Sequence, residues 1–370
     1  MRASAAMLAR LAAVGLAAGV FVASAARRSP GVDFAGVNDV KMAWRSPAAR
    51  ADAVAALGRA GAAHVRLMVV RPLDAVADAA AALQREGIKV LLMVPLGQSD
   101  FFASTTPVRQ ADDVHYALRP TAEMDVRRFE AFMGEALSLL DARGVRPEAV
   151  ELGNEINIGP FEATLPIVPG GLTADAATFD RQTFAGAYGQ ALDRYVDALR
   201  RTRRLLQGRG VPLLLASAVR PEAAWASEHG VSVVAPELCL RMLLERGAAD
   251  IVDGYALHLY PQVSAREKDP EQAVRLAVDA AFDPLSKMVG PGRRWWITEW
   301  GFARSVGRDY GLELPREPRM KAFAAAIDRR LEAALMGPAF LYDFAEDELF
   351  RISGPDSPSD PDALLTLSRR

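Results

Sequence analysis

The chain is poor in the residues that form cross-links or hold metal ions. Its 370 residues include one cysteine, Cys239, which excludes an internal disulfide and which we interpret as a packed core thiol. The four histidines form no HxH or HExxH pair, so we expect no dedicated metal site and no cofactor. With a net charge of −2, charge alone gives no reason to expect a nucleic-acid partner or binding to an anionic membrane.

The amino-terminal segment differs from the rest of the chain. Arginines precede an apolar stretch from Leu11 to Ala23, and Ala23 and Ala25 are spaced as in an A-x-A cleavage site. This pattern predicts a signal peptide over residues 1–26. The stretch is nearly long enough to span a bilayer, so an uncleaved anchor is the alternative. In both cases we expect the body of the protein in an extracytoplasmic space, periplasmic or secreted, without stable membrane insertion once the signal is cleaved.

After residue 30, short β-rich runs alternate with longer helical ones. Most of the short runs are continuously apolar, which is typical of parallel strands covered on both faces. The predicted strands cover 32–38, 64–70, 89–96, 149–155, 212–219, 251–260, 294–301 and 339–344. Eight such units predict an α/β fold, a (β/α)8 barrel with long loops forming one catalytic domain over residues 30–370. An open doubly wound sheet would also alternate, but no glycine-rich phosphate motif follows the first strand.

Two long connections, 97–120 and 157–178, each follow a predicted strand and therefore belong to the carboxyl-terminal face of the barrel. Polar residues also lie at the carboxyl ends of strands, and each alone has a structural explanation. They are Asn38, Arg66, Asn154, Glu155, His258, Tyr260, Glu299 and Asp343. The set is informative because two glutamates, Glu155 and Glu299, end the fourth and seventh strands.

A pair of carboxyl groups is what glycosidic bond cleavage requires. One protonates the leaving oxygen, and the other attacks the anomeric carbon or activates water. We expect a raised pKa for the acid and a depressed pKa for the nucleophile. Arg66 and Tyr260 are suited to hold the Glu299 carboxylate ionised and oriented, and Asn154 is suited to bind a sugar hydroxyl.

The motifs "VRL", "GNE", "HLY" and "ITEWG", at the second, fourth, sixth and seventh strands, resemble those of the clan A glycoside hydrolases. That resemblance implies a retaining (β/α)8-barrel enzyme that acts on a carbohydrate polymer or oligosaccharide. It implies Glu155 as acid/base, preceded by the clan's asparagine, Asn154, and Glu299 as nucleophile. It also implies Arg66 as the strand-two arginine and His258 and Tyr260 as the strand-six pair.

The sequence departs from this clan in two places. Cellulase-like members often carry a histidine after strand three, where this chain has "VPLGQ", and His115 is a possible substitute. Many members end strand eight with a tryptophan, where this chain has Asp343 and Phe344. "GNEIN" also resembles the endo-β-1,4-galactanases, so the family within the clan stays open.

Aromatic side chains are candidate stacking surfaces for sugar rings. We select Trp44 and Tyr116 in loops of the carboxyl-terminal face, and we add Trp300 beside Glu299. The predicted substrate-binding residues are these three aromatics together with the polar strand-end residues other than the two glutamates, namely Asn38, Arg66, Asn154, His258, Tyr260 and Asp343. Trp295 and Trp296 are predicted core residues.

Two other interpretations remain open. The first is a catalytically silent barrel that binds polysaccharide as an accessory of export or surface assembly. The second, a metal-dependent hydrolase, would need clustered histidine and aspartate ligands at strand ends, which the sequence lacks. We expect a monomer, and the sequence specifies neither the sugar nor its linkage.

Overall fold

The computed structural model describes residues 31–261, 263, 267–302, 316–331 and 333–343. The strands among them are β1 (Gly36–Asn38), β2 (His64–Met68), β3 (Lys89–Val94), β4 (Ala149–Leu152), β5 (Leu172–Ala174), β6 (Leu213–Ala218), β7 (Ser232–Val234), β8 (Gly254–Leu259), β9 (Arg294–Trp300) and β10 (Leu335–Leu341). Eight of them pair in parallel and close into a barrel in the order β1-β10-β9-β8-β6-β4-β3-β2. The predicted (β/α)8 fold is confirmed.

Helices connect successive barrel strands. They are α1 (Pro47–Arg59), α2 (Leu73–Arg85), α3 (Val126–Ala142), α4 (Ala185–Leu205), the short α5 (Ala223–Glu228), α6 (Pro236–Glu245), α7 (Pro270–Val289) and α8 (Arg316–Asp328). Helix starts follow the sequence signals: Ser46 Oγ accepts a hydrogen bond from the backbone N–H of Ala49, and Pro47 occupies the first helical position. In the part of the chain that the structure describes, no helix is both long and apolar enough to cross a bilayer.

The core has two layers. A large apolar cluster lies between the strands and the surrounding helices and includes Trp295. A smaller cluster of Leu91, Ala149, Leu214, Trp296 and Phe340 comes from barrel strands alone. Both tryptophans are buried, so their prediction as core residues is confirmed. The two packed layers fix the strand ends on which the polar residues lie.

The structure differs from the prediction at several strand ends and by one added sheet. The first strand begins at Gly36 rather than at residue 32. The fourth strand ends at Leu152 rather than at residue 155, because the backbone leaves the extended region at Gly153. The last strand begins at Leu335 rather than at residue 339, because Leu335 and Met336 already pair with β9, ahead of a glycine and a proline. A small parallel sheet of β5 and β7, which the sequence pattern did not indicate, adds to the barrel's connections. The segment 1–26, Phe344 and the carboxyl-terminal tail lie outside the described residues.

Candidate active site

Arg66 organises the polar residues at the carboxyl-terminal mouth of the barrel. Its side chain is completely buried, and its guanidinium donates hydrogen bonds to acceptors from three other strands and their ends. Nη1 donates to Glu299 and to Asn38 Oδ1 (3.1 Å), Nη2 to Asn154 Oδ1 (2.7 Å), and Nε to Glu151 Oε2 (2.7 Å). Because these acceptors surround a planar group, the orientation of the guanidinium is fixed, and so are the carboxylates and amides that it holds.

The backbone at the end of β4 turns Glu155 into this mouth. Gly153 has φ +91°, and a Cβ there would lie 2.9 Å from Ile156 Cγ2 and 3.0 Å from Ala216 Cβ, so the position requires glycine. Glu155 itself has φ +43°, which is uncommon for a residue with a side chain, and backbone strain of this kind clusters at functional sites. Its backbone N–H donates to Ser217 Oγ (3.2 Å) of β6, which helps to hold the turn.

Asn157 anchors the loop that follows Glu155. Its amide nitrogen donates to the backbone carbonyls of Val219 (2.8 Å) and Val234 (3.0 Å), and its Oδ1 accepts from the N–H of Val219 (3.0 Å). Val234 ends β7, so the small extra sheet is joined directly to the loop that carries Glu155. The position of Glu155 therefore depends on this sheet as well as on the barrel.

The two predicted catalytic carboxyl groups come together. One oxygen each of Glu155 and Glu299 and one nitrogen of His258 all lie within 4.8 Å of one another. His258 Nδ1 lies 2.7 Å from Glu155 Oε1 and 3.4 Å from Glu299 Oε2. The Tyr260 hydroxyl donates to Glu299 Oε2. The spacing is nearer to the roughly 5–5.5 Å of retaining glycosidases than to the roughly 6.5–9.5 Å of inverting ones.

The surroundings of the two carboxyl groups shift their pKa values by different amounts. Burial, and then the charge of Glu299, raise the pKa of Glu155 well above its ordinary value. Burial also raises the pKa of Glu299, although the charge of Arg66 and the hydrogen bond from Tyr260 oppose it. The predicted depression of the Glu299 pKa is therefore wrong in direction, because desolvation outweighs both partners. The stronger rise still falls on Glu155, the predicted acid.

His258 and Tyr260 stay uncharged beside these carboxyl groups. Burial and the nearby Arg66 lower the pKa of His258 well below its ordinary value, so the imidazole is neutral. Burial and the charge of Glu299 raise the pKa of Tyr260 well above its ordinary value, which keeps its hydroxyl a hydrogen-bond donor. The hydrogen bond from Tyr260 to Glu299 is as the sequence predicted, while contact of His258 or Tyr260 with a substrate stays a prediction.

The cluster of Glu155, His258 and Glu299 has the spacing that could hold a divalent ion. The charges and hydrogen bonds around this cluster, however, do not favour a divalent ion. Both oxygens of Glu299 already accept hydrogen bonds, from Arg66 and from Tyr260, and the Arg66 charge lies beside the position that a cation would take.

Three of the other predicted site residues, Asn38, Asp343 and Trp300, are buried. Asn38 uses its amide nitrogen on the backbone carbonyls of Thr298 (3.0 Å) and Phe340 (3.4 Å), so it supports Arg66 rather than facing a ligand. Asp343 is buried just after β10 at the same end of the barrel.

The prediction of Trp300 as a substrate-binding residue is wrong. Its side chain is fully buried and stacks on Phe323 of α8, with ring centroids 4.6 Å apart. Successive strand residues face opposite sides, so Glu299 points into the barrel and Trp300 out of it.

The aromatic residues chosen from the loops are exposed, as a stacking surface must be. Trp44 is 54% exposed in the turn after β1, and Tyr116 is 55% exposed in the loop after β3. Contact of either with a sugar stays a prediction. His115, the possible substitute for the strand-three histidine, is buried and lies 2.9 Å through Nδ1 from Asp112 Oδ2, which is a loop-packing arrangement.

Sequence reasoning missed residues that support the site. Glu151 is completely buried and accepts hydrogen bonds from Arg66 and from Thr298 Oγ1 (3.1 Å). The signal was present, because a charged residue in the middle of an apolar strand needs a partner inside the barrel. Tyr342, whose ring centroid lies 6.1 Å from that of Tyr260, was also missed.

Comparison with known proteins identifies the fold. No protein-family model and no curated protein sequence matches the chain. Among solved structures, it is similar to an endo-1,4-β-D-mannanase from Thermotoga petrophila (14% identity, 91% of this chain and 100% of the other, TM-score 0.54). It is also similar to GH5_18 from Bifidobacterium longum in complex with Manβ1-4GlcNAc (13% identity, 91% and 78%, TM-score 0.57). A structure of fungal β-1,4-galactanases matches with 13% identity, 90% and 98% coverage and a TM-score of 0.53.

The likeness is one of fold. At these identities it confirms the barrel that the resemblance to clan A implied, while the chemistry rests on the residues described above.

Proposed function

We propose that this chain is a retaining glycoside hydrolase that cleaves β-glycosidic bonds in a polysaccharide or oligosaccharide by double displacement. The observation that carries the proposal is the pair of buried carboxyl groups, Glu155 and Glu299, with oxygens within 4.8 Å at the carboxyl-terminal mouth of a closed barrel. The fold likeness to a mannanase and to galactanases supports it.

In the first step, Glu155 is the acid. Its raised pKa keeps a proton on the carboxyl group at pH values where an ordinary glutamate has lost it. It gives this proton to the glycosidic oxygen while a Glu299 oxygen attacks the anomeric carbon. The aglycone leaves as an alcohol, and a glycosyl ester forms on Glu299.

In the second step, Glu155 is the base. Now a carboxylate, it takes a proton from a water that attacks the anomeric carbon, and the ester bond to Glu299 breaks. The product keeps the anomeric configuration of the substrate. Arg66 and Tyr260 bind the two Glu299 oxygens and therefore stabilise the leaving carboxylate, and Asn154 presents its amide nitrogen towards a sugar hydroxyl.

A reducing-end assay over β-linked polysaccharides, including bacterial exopolysaccharides, tests the activity, and NMR of the first-formed anomer tests retention. We expect Glu299→Gln and Glu155→Gln each to lower the rate on the best substrate by several orders of magnitude, roughly 10³-fold or more. Glu86→Gln, an exposed glutamate at the end of α2, is the matched control and should behave as wild type.

Wild-type activity in either active-site variant would refute the assignment, and a product of inverted configuration would refute the retaining mechanism. Binding of a polysaccharide without turnover would favour the silent barrel. Loss of activity with a chelator would favour a metal-dependent reaction.

We also propose that the protein is exported, because residues 1–26 carry the pattern of a signal peptide. Amino-terminal sequencing of the protein from periplasmic and culture fractions tests this. We expect a new amino terminus near residue 26, and protein confined to the cytoplasm with Met1 intact would contradict export.

A further inference from the structure

The two long loops of the carboxyl-terminal face are joined by one side chain, Arg109. Its Nη1 donates to the backbone carbonyl of Gly159 (2.5 Å) and its Nη2 to that of Pro160 (2.9 Å), both in the loop that follows Glu155. Nη2 also donates to the backbone carbonyl of Tyr116 (3.1 Å) in its own loop. Arg109 therefore fixes the loop after β3 to the loop after β4.

This clamp holds an exposed aromatic ring in place. Tyr116 is 55% exposed, and its ring lies on that of Phe161, with centroids 5.3 Å apart and planes inclined by 38°. The distance is that of a favourable aromatic pair. Tyr116 is thus supported from behind by Phe161 and through its backbone by Arg109, while much of its side chain faces solvent.

The aromatic pair is continuous with the candidate active site. Phe161 and Tyr260 both pack against one small apolar cluster, which consists of Ile158, Val219, Ala226, Val231 and Val233. Tyr260 in turn donates its hydroxyl to Glu299. Phe161 lies on the loop that begins at Glu155, so the pair is connected to both catalytic glutamates through packed residues.

A single exposed aromatic residue needs no explanation. Here, however, a partly buried charged side chain, that of Arg109, holds the backbone of the exposed aromatic residue Tyr116 in place. The guanidinium of Arg109 is partly buried and donates to neutral backbone carbonyls. Burial lowers its pKa, although the charges of Glu162 and Asp112 oppose this. A ring that is ordered before a ligand arrives loses little entropy on binding, which is the property of an efficient recognition surface. The apolar C–H face of a pyranose is the ligand that fits an open aromatic ring beside a glycosidase centre.

We propose that Tyr116, backed by Phe161 and positioned by Arg109, forms a platform that binds a pyranose unit of a β-1,4-linked hexose chain outside the pair of glutamates. This rests on the proposed function and refines its substrate class to a chain long enough to reach beyond the two glutamates. Arg109 is a positioning residue, since it acts through the backbone of Tyr116.

Calorimetric binding by the full-length Glu299→Gln protein tests this without turnover. The ligands are cellohexaose, β-1,4-mannohexaose and β-1,4-galactohexaose, with their disaccharides. For the hexasaccharide that binds best, we expect Tyr116→Ala to weaken affinity by roughly 3- to 10-fold, with a smaller change for the disaccharide. Arg109→Ala should act in the same direction, and Tyr116→Phe should stay within about twofold because it keeps the ring.

Leu276→Ala is the matched control, since Leu276 is 59% exposed on α7, and it should bind as the parent does. Unchanged hexasaccharide affinity in Tyr116→Ala, with or without a fall in melting temperature, would show a loop-packing role and overturn the proposal. Failure of all three hexasaccharides to bind the parent would also overturn it. Failure of the proposed function is seen separately, as full hydrolytic activity in Glu299→Gln.

Discussion

Two buried histidines lie at opposite ends of the barrel, and their pKa values are shifted in opposite directions. His64 begins β2 at the amino-terminal end, where its Nδ1 lies 2.7 Å from Glu148 Oε2 and its Nε2 lies 2.7 Å from Asp33 Oδ2. Burial alone would lower its pKa, but these two carboxylates outweigh burial and raise it to about 9. His258 lies near the carboxyl end of β8, and its pKa is lowered well below the ordinary value.

The difference shows how one barrel separates stability from reactivity. At the amino-terminal end, the positive charge of His64 lies between two carboxylates, which stabilise it. At the carboxyl-terminal end, Glu151, Glu155 and Glu299 share one buried cation, Arg66. This leaves Glu155 with a pKa well above its ordinary value, an arrangement that costs stability and suits the proton transfer proposed for Glu155.

The largest expected effect is at Arg66. Arg66→Lys keeps the charge but cannot present donors to Glu299, Asn38, Asn154 and Glu151 in one plane. We expect kcat/KM on the best substrate to fall by roughly 10²–10³-fold, the usual cost of removing preorganised stabilisation of developing charge. Steady-state kinetics with a parallel thermal melt checks this. A variant with near wild-type kcat/KM would mean that the network is structural only.

The next largest effect is on the stability contributed by His64 at the amino-terminal end of the barrel. The pKa of His64 is raised in the folded state, so its contribution is complete below about pH 6.5 and is lost as the pH rises through about 9. We expect His64→Gln to lower the free energy of unfolding by up to about 3 kcal/mol at pH 6 and by much less at pH 9.5. Urea unfolding at the two pH values measures this. An equal loss at both would contradict a charged His64.

The smallest effect is a shift in pH dependence. The charge of Glu151 raises the pKa of both Glu155 and Glu299, so Glu151→Gln should lower both. We expect the acidic and basic limbs of the kcat/KM profile to move together to lower pH. Glu148→Gln, at the amino-terminal end, is the control that should leave the profile in place. Movement of one limb alone, or to higher pH, would show that Glu151 does not act on both groups.

The sequence predicted those parts of the site that follow from strand order. Glu155 and Glu299 could be placed together because parallel strands of a closed barrel bring their carboxyl ends to one face. The side to which a residue points was harder to predict. Trp300 was assigned to the mouth because of its neighbour, but strand alternation turns it towards α8. Likewise, the direction of the Glu299 pKa shift depends on whether burial or the charge of Arg66 has the larger effect. A sequence motif does not specify how deeply a side chain is buried, so this direction could not be predicted.

Long-range pairing explains what else was missed. β5 and β7 have three residues each, and Ser232 at the start of β7 lies 58 positions after Ala174 at the end of β5. Neither strand therefore has a local pattern that predicts their contact. The partner of Glu151 is equally remote in sequence, since Arg66 lies 85 positions before it.

Asn157 has a consequence for engineering. Its side chain bonds the end of β7 and the end of β6, directly after the turn that presents Glu155. Residues 157–234 include the barrel strand β6 as well as the small sheet of β5 and β7. Shortening the loop after Glu155, or removing the small sheet, would therefore also change the support of Glu155 itself. In any exchange of loops between barrels, the loop after Glu155 and the sheet of β5 and β7 should be transferred together.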